Sequence, residues 1–265
     1  SQDSIGKILG TRSKEAAYTN LTIDSVPVEI VSVNRPHSTQ KVILYCHGGG
    51  YITGSLHYAR ILTTKIAMAT SMDVISFDYR LAPEFPFPAA LHDVVKIWDY
   101  LMMLGYGSKD IIVMGDSAGG NLALSLGLKL KEEERFLPGA FVLMSPWTDL
   151  TTSGKSHVTK EALDPILDHE YMDKARYSYT TEENFENPLV SPLFGDFTDF
   201  PPVYIQVGNN EILLSDSVRL HKQLIKQGVS ARLDLYKGMW HVFQMSNFKT
   251  ANDAVDEIAR FVLEL

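Results

Sequence analysis

Seven short β-branched runs punctuate the chain: VEIVSV (28–33), KVILYC (41–46), DVISF (73–77), IIVMG (111–115), AFVLM (140–144), VYIQV (203–207) and ARLDLY (231–236). Runs of this length and composition read as strands, and the stretches between them repeat apolar residues at helical spacing. Helices are expected near 57–70, 88–104, 118–131, 215–227 and 247–263. Strand and helix alternate through the later part of the chain, as a parallel sheet covered by helices on both faces requires. The fold class is therefore α/β. With 265 residues and no abrupt change in composition, the expectation is a single domain, 1–265.

One stretch breaks the rhythm. Between Thr148 and Phe200 no strand run occurs, and the segment holds helical, aromatic and proline-rich pieces. Structureless connections of that length are uncommon in compact domains, and long ones tend to be functional. Residues 148–200 are read as a lid insertion, with residues 1–22 as a second candidate contributor. The plainer alternative is a structural excursion on the far side of the sheet.

Composition removes several function classes. At 45% hydrophobic and 21% charged the chain is of ordinary globular type, and its net charge of −8 leaves no basic stripe to neutralise a phosphate backbone. Nucleic acid is not an expected partner. Cys46 is the single cysteine, which excludes an intramolecular disulfide; its place in KVILYC marks a buried thiol. No apolar run approaches the roughly 20 residues of a membrane span, and SQDSIGKILG lacks the apolar centre of a signal peptide. A cytoplasmic setting is expected.

The stretch IIVMGDSAGGNLALSL sets Gly115-Asp116-Ser117-Ala118-Gly119 between a strand run and a helix pattern. A G-x-S-x-G sequence alone is weak; on a strand–turn–helix it describes an elbow that holds a nucleophilic serine in a strained turn above the sheet. The alternative is a plain tight turn in which Ser117 caps the helix.

YCHGGGYITGS follows the run 41–46 directly. Three consecutive glycines let backbone N–H groups approach a ligand closely, and the candidates are a phosphate and an oxyanion. The spacing matches neither G-x-x-x-x-G-K-[ST] nor G-x-G-x-x-G. An oxyanion hole remains, with Gly48, Gly49 and Ala118 as the expected N–H donors. His47 is expected to brace the loop through its side chain. Asp168-His169-Glu170 reads as a solvated helix surface, and no H-E-x-x-H spacing suggests a metal.

A serine hydroxyl needs a base near neutral pH, and imidazole suits that task. His241 is the candidate, in LYKGMWHVFQ after the last strand run, where Trp240, Val242 and Phe243 can exclude water. On a serine elbow the acid falls in sequence between serine and histidine. Two carboxylates compete in VYIQVGNNEILLSDS. Asp216 is already explained by the start of a helix, with Ser215 as its cap and its charge matched to the macrodipole. Glu211 stands just past the strand end on the loop that must orient the imidazole, and is the assigned acid.

HGGGY, DYRLAPEFPFPAALHD, GDSAGGNLAL, LMSPWTDL and GMWHVF stand in an order that resembles the hormone-sensitive-lipase-like branch of the α/β-hydrolases, the bacterial carboxylesterases and acetyl esterases. The resemblance implies the α/β-hydrolase fold with an eight-stranded, mostly parallel sheet, a nucleophile at Ser117, a base at His241 and an oxyanion hole at Gly48, Gly49 and Ala118. Two features depart from the pattern. Most members carry Asp-x-Leu where this chain has Glu211-Ile212-Leu213, and the segment before the first strand run is short. Asp78, Arg80 and Glu84 of DYRLAPE are read as a buried architectural network.

The expected function is hydrolysis of short-chain acyl esters through an acyl-enzyme, on a small-molecule substrate and without metal or organic cofactor. An amidase or arylformamidase with the same triad is the first alternative. A non-catalytic ligand receptor on this fold is the second, disfavoured by retention of Ser117, Glu211 and His241. A homodimer through an edge strand or lid helix is left open, since no motif specifies one.

Overall fold

The computed structural model describes residues 12–35 and 40–265. Eight strands form one sheet: β1 (Ala16–Ile23), β2 (Val26–Val33), β3 (Val42–Cys46), β4 (Asp73–Phe77), β5 (Ile111–Asp116), β6 (Ala140–Met144), β7 (Val203–Gly208) and β8 (Ala231–Tyr236). Their spatial order is β1-β2-β4-β3-β5-β6-β7-β8. The β1–β2 and β2–β4 pairs are antiparallel and every later pair is parallel. This is the α/β-hydrolase fold.

The longer helices are α1 (Leu56–Thr70), α2 (Ala89–Met103), α3 (Ala118–Glu132), α6 (Leu214–Lys226) and α7 (Lys249–Leu263); the short α4 (Ser156–Thr159) and α5 (His169–Tyr179) lie in the long connection from β6 to β7. Alternation along the central strands assigns the helices to faces. Val42, Leu44 and Cys46 of β3 point into the core that holds Ile97 of α2, Leu122 of α3 and Leu220 of α6. Ile43 and Tyr45 point into the other, with Leu62 and Ile66 of α1 and Ile258 and Val262 of α7. With both faces covered, a period of two and continuous hydrophobicity coexist, which is why these strands read as unbroken apolar runs.

Every strand run and helix expected from the sequence is present, with boundaries shifted by no more than a few residues. One strand went unanticipated. AAYTNLTI forms β1 at the sheet edge, where half its side chains face solvent and its sequence is too polar to stand out. Residues 16–22 are thus part of the sheet and cannot contribute to a lid, while residues 1–11 lie outside the described residues.

The DYRLAPE expectation also needs correction. Asp78 accepts from Leu56 N–H at the start of α1 (2.6 Å), Arg80 is exposed and forks onto the buried Asp93, and Glu84 is exposed. The buried partner of Arg80 comes from α2, so the motif joins two helices to the sheet and is not one internal network. Among the described residues, no helix is long and apolar enough to cross a membrane.

Candidate active site

Ser117 lies between the end of β5 and the start of α3, at φ 54° and ψ −122°. A side chain is strained there, and strain of this kind persists only where the surroundings over-determine it. They do so here. Ser117 N–H donates to Met144 O at the end of β6 (2.9 Å), and its carbonyl accepts from Trp147 N–H (3.0 Å). The flanking glycines answer to close approach: a Cβ on Gly119 would stand 2.0 Å from Cys46 O, and one on Gly115 would stand 2.3 Å from Gly119 O. Only bare backbone lets α3 begin against β3 and β5. Ser117 itself is buried, with 8% of its surface exposed.

Asp116, beside the serine, is fully buried and gathers three donors: Tyr45 OH (2.6 Å), Gly48 N–H (3.0 Å) and Tyr58 OH (2.8 Å). Burial raises its carboxyl above the ordinary carboxylate range, and these donors together with His241 pull against that rise. Gly48 N–H, expected as an oxyanion donor, is therefore committed to Asp116. Gly49 and Ala118 N–H donate to no backbone acceptor among the described residues. His47 braces the loop as anticipated, its Nδ1 lying 2.7 Å from Gly48 O and its ring stacked on Tyr79. Cys46 is buried, and burial pushes its thiol far above the usual range.

The expected acid and base meet. Glu211 and His241 arrive on the loops after β7 and β8, which interlock: Asn210 N–H donates to Met239 O (3.0 Å), and Gly238 N–H donates to Asn209 Oδ1 (2.7 Å). A Cβ on Gly208 would stand 2.3 Å from Met239 O, so a side chain there would drive the loops apart. Glu211 Oε1 lies 3.5 Å from His241 Nδ1, and both atoms are buried with no hydrogen-bond partner among the described residues. That separation exceeds a hydrogen bond, as is common in sites whose contacts tighten with substrate. Burial of His241 favours the neutral ring, but Glu211, with Asp164 and Asp116 behind it, prevails and holds the imidazole pKa above its ordinary value.

Asp216, the rival acid, points elsewhere. Its Oδ2 accepts from Thr148 N–H (2.8 Å) and Asp149 N–H (3.0 Å), and its Oδ1 lies 2.9 Å from His157 Nε2. Burial raises its pKa against the pull of His157. The sequence placed Asp216 correctly in the first turn of α6, but Ser215 is no cap; its hydroxyl instead accepts from Ser156 N–H.

The β6–β7 connection covers the glycine loop. Tyr179 of α5 stacks on Tyr51 with ring centres 3.8 Å apart, and a Cβ on Gly50 would meet the Tyr171 hydroxyl at 2.8 Å. Asn121 of α3 ties the layers together, accepting from Tyr51 OH (2.6 Å) and donating to Trp147 O and Val190 O (2.8 Å each).

Sequence reasoning missed Asp116, Asn121 and Ser145. Asp116 carried a signal, a charged residue at the tightest point of the elbow. The other two carried none beyond their presence in GDSAGGN and LMSPWTDL.

A family model described as alpha/beta hydrolase fold matches residues 43–245. The chain belongs to the α/β-hydrolases. An esterase of Acinetobacter venetianus is 38% identical over 93% of this chain and 84% of its own length. An acetyl-hydrolase of Streptomyces hygroscopicus is 36% identical over 89% and 81%. Among solved structures, an esterase of the bacterial hormone-sensitive lipase family superposes with TM-score 0.93 at 33% identity, covering 98% of this chain and 90% of that one. A hormone-sensitive lipase from a metagenome library gives 0.91 at 35% identity over 99% and 90%. This α/β-hydrolase therefore falls in the hormone-sensitive-lipase-like branch.

Proposed function

We propose that this α/β-hydrolase is a serine carboxylesterase acting on short-chain acyl esters through an acyl-enzyme. The carboxylic-ester-hydrolase class rests on its family and on relatives named esterase and acetyl-hydrolase. The observation that supports the mechanism is the buried Glu211–His241 contact at the adjacent ends of β7 and β8, in a sheet whose β5 ends in the strained Ser117.

Ser117 Oγ attacks the ester carbonyl while His241 takes its proton and Glu211 stabilises the imidazolium. The tetrahedral oxygen is held by Gly49 and Ala118 N–H, each worth on the order of 3 kcal/mol in the transition state. Gly48, whose N–H is given to Asp116 Oδ1, contributes by fixing the loop. His241 returns the proton to the leaving alcohol, and water repeats the sequence on the acyl-enzyme. The segment 148–200 acts as the lid, a role supported by the stacking of Tyr179 on Tyr51. A short acyl group is supported by the acetyl-hydrolase relative. A cytoplasmic setting fits a chain whose single cysteine is buried and free.

Initial rates on p-nitrophenyl esters of two to twelve carbons, beside matched anilides, test the reading. Rapid turnover of the short esters, abolished by Ser117→Ala, is expected. Turnover of anilides in preference to esters would turn the assignment to an amidase, and an unimpaired Ser117→Ala would end it.

A further inference from the structure

We propose that Ser145 is a positioning residue that holds Glu211 and His241 in register, an inference resting on the triad reading above. Ser145 follows β6 directly, is fully buried, and bonds both Glu211 and the backbone next to His241. Its hydroxyl donates to Glu211 Oε2 at 2.8 Å and accepts from the N–H of Val242, the residue after His241, at 3.2 Å. A hydroxyl has one proton and free lone pairs, so these two bonds use it in the only sense that satisfies both partners.

The consequence falls on the other carboxylate oxygen. Glu211 Oε2 also accepts from Gly208 N–H at 3.1 Å, so this oxygen is held from two sides. Oε1 is left to face His241 Nδ1. A glutamate has one more rotatable bond than an aspartate, and a fixed Oε2 is what stops the carboxylate from swinging away from the ring. Because Ser145 N–H also donates to Gln206 O of β7 (2.8 Å), the clamp is anchored in the sheet and not in a loop.

Backbone conformation supplies a second, independent observation. Ser145 sits at φ 49° and Val242 at φ 50°, in the left-handed region that favours glycine and that a β-branched residue rarely enters. Backbone demand alone would select Gly at 145. A serine there keeps a hydroxyl that the turn does not require, and among the described residues it serves Glu211 and the peptide beside His241.

The test uses Ser145→Gly, which suits the backbone, beside Ser145→Ala, each alone and combined with Glu211→Gln. The single variants are expected to lose roughly 10- to 100-fold in kcat on a short ester with KM little changed. The acid limb of their kcat/KM profile should move to lower pH, because the carboxylate's hold on the imidazolium loosens while Asp164 and Asp116, which also act on His241, stay in place. In the Glu211→Gln background the same changes should cost almost nothing further, since Ser145 acts through that carboxylate. A Ser145→Gly enzyme within twofold of wild type beside a crippled Glu211→Gln overturns the proposal, as do losses that multiply in the double variant. Glu211→Gln at the wild-type rate is a separate failure, that of the triad itself, and takes this inference with it. Thermal unfolding of each variant distinguishes a loss of folded protein, which would leave the pH limb of the remaining activity unmoved.

Discussion

Asp216 Oδ1 lies 2.9 Å from His157 Nε2, so the described residues contain two buried carboxylate–histidine pairs, and Glu211–His241 is the other. The two candidate acids are separated by what surrounds them. Asp216 is saturated by Thr148, Asp149 and His157, and stitches the start of the β6–β7 connection to α6. Glu211 keeps one oxygen without a hydrogen bond, facing an imidazole. Asp216→Asn should therefore keep kcat within a few-fold while costing about 1–3 kcal/mol of stability, from a buried bond lost or reversed. Glu211→Gln should lower kcat by about 10³- to 10⁴-fold with a smaller change in Tm. Paired kinetics and thermal melts check this, and a rate loss confined to Asp216→Asn would reverse the assignment.

The pH dependence follows from the sign of the His241 shift. The proposed mechanism needs the neutral imidazole, and Glu211 holds its pKa above the ordinary value of 6.5, so the acid limb of kcat/KM should fall above pH 6.5. Stability runs the other way. A histidine whose folded pKa exceeds its unfolded one contributes stability that is complete below the unfolded value and is lost as pH rises through the folded value. Glu211→Gln should lower the limb and flatten that part of the stability curve, as read from rate profiles and denaturant melts between about pH 5 and 9.

The folding pattern and the candidate triad were legible for different reasons. β3 to β7 showed as apolar runs because both of their faces are buried, and the edge strand β8 showed by alternation alone, whereas β1 hid its register in an edge strand with half its side chains in water. Ser117 and His241 stand in local contexts, an elbow and a glycine turn, that the sequence spells out. Glu211 was separable from Asp216 only by its place on the chain. The groups that orient the site come from tertiary proximity: Ser145 is 66 residues from Glu211, and Gly48 is 68 residues from Asp116. No short window along the chain contains either pair, so neither the clamp nor the committed Gly48 N–H could be seen before the strand ends were brought together. Arg80 misled for a different reason: its partner Asp93 stands 13 residues on, at the end of DYRLAPEFPFPAALHD, but only the placement of α2 shows that this carboxylate, and not Asp78 or Glu84, takes the guanidinium.

Asp116 should matter through its donors more than its charge. Replacement by Asn leaves an oxygen for Tyr45 OH and Gly48 N–H, and Tyr58 OH can turn to accept from the amide. It also removes a buried carboxyl whose charged form burial disfavours. Asp116→Asn is expected to fold normally, with Tm within a few degrees of wild type and the acid limb slightly lowered by loss of a negative charge near His241. Asp116→Ala strands three buried donors and should cost about 3 kcal/mol or more, with a fall in kcat as the glycine loop loosens. Equal Tm values for the two variants would show that the donors are satisfied in some other way.

The close approach at the elbow makes a sharper prediction, because here helix propensity and packing disagree. Gly119 lies in the first turn of α3, where Ala would be favoured by about 1 kcal/mol on propensity alone. Its added methyl, however, would stand 2.0 Å from Cys46 O, and neither that strand nor the helix start can retreat without moving Ser117 and Ala118. Gly119→Ala should destabilise by about 3 kcal/mol or more, at the upper end of overpacking costs, and any folded fraction should be slow in kcat. Gly105 is the control: it sits at φ +94°, and a methyl added there would meet no heavy atom within 4 Å, so Gly105→Ala bears backbone strain alone and should cost about 1–2 kcal/mol without touching the rate. Soluble yield, Tm and ester turnover of the two variants side by side separate the effects. A Gly119→Ala enzyme as stable and fast as wild type would mean that the α3 start is free to shift, and that the strained serine is not held by the sheet beneath it.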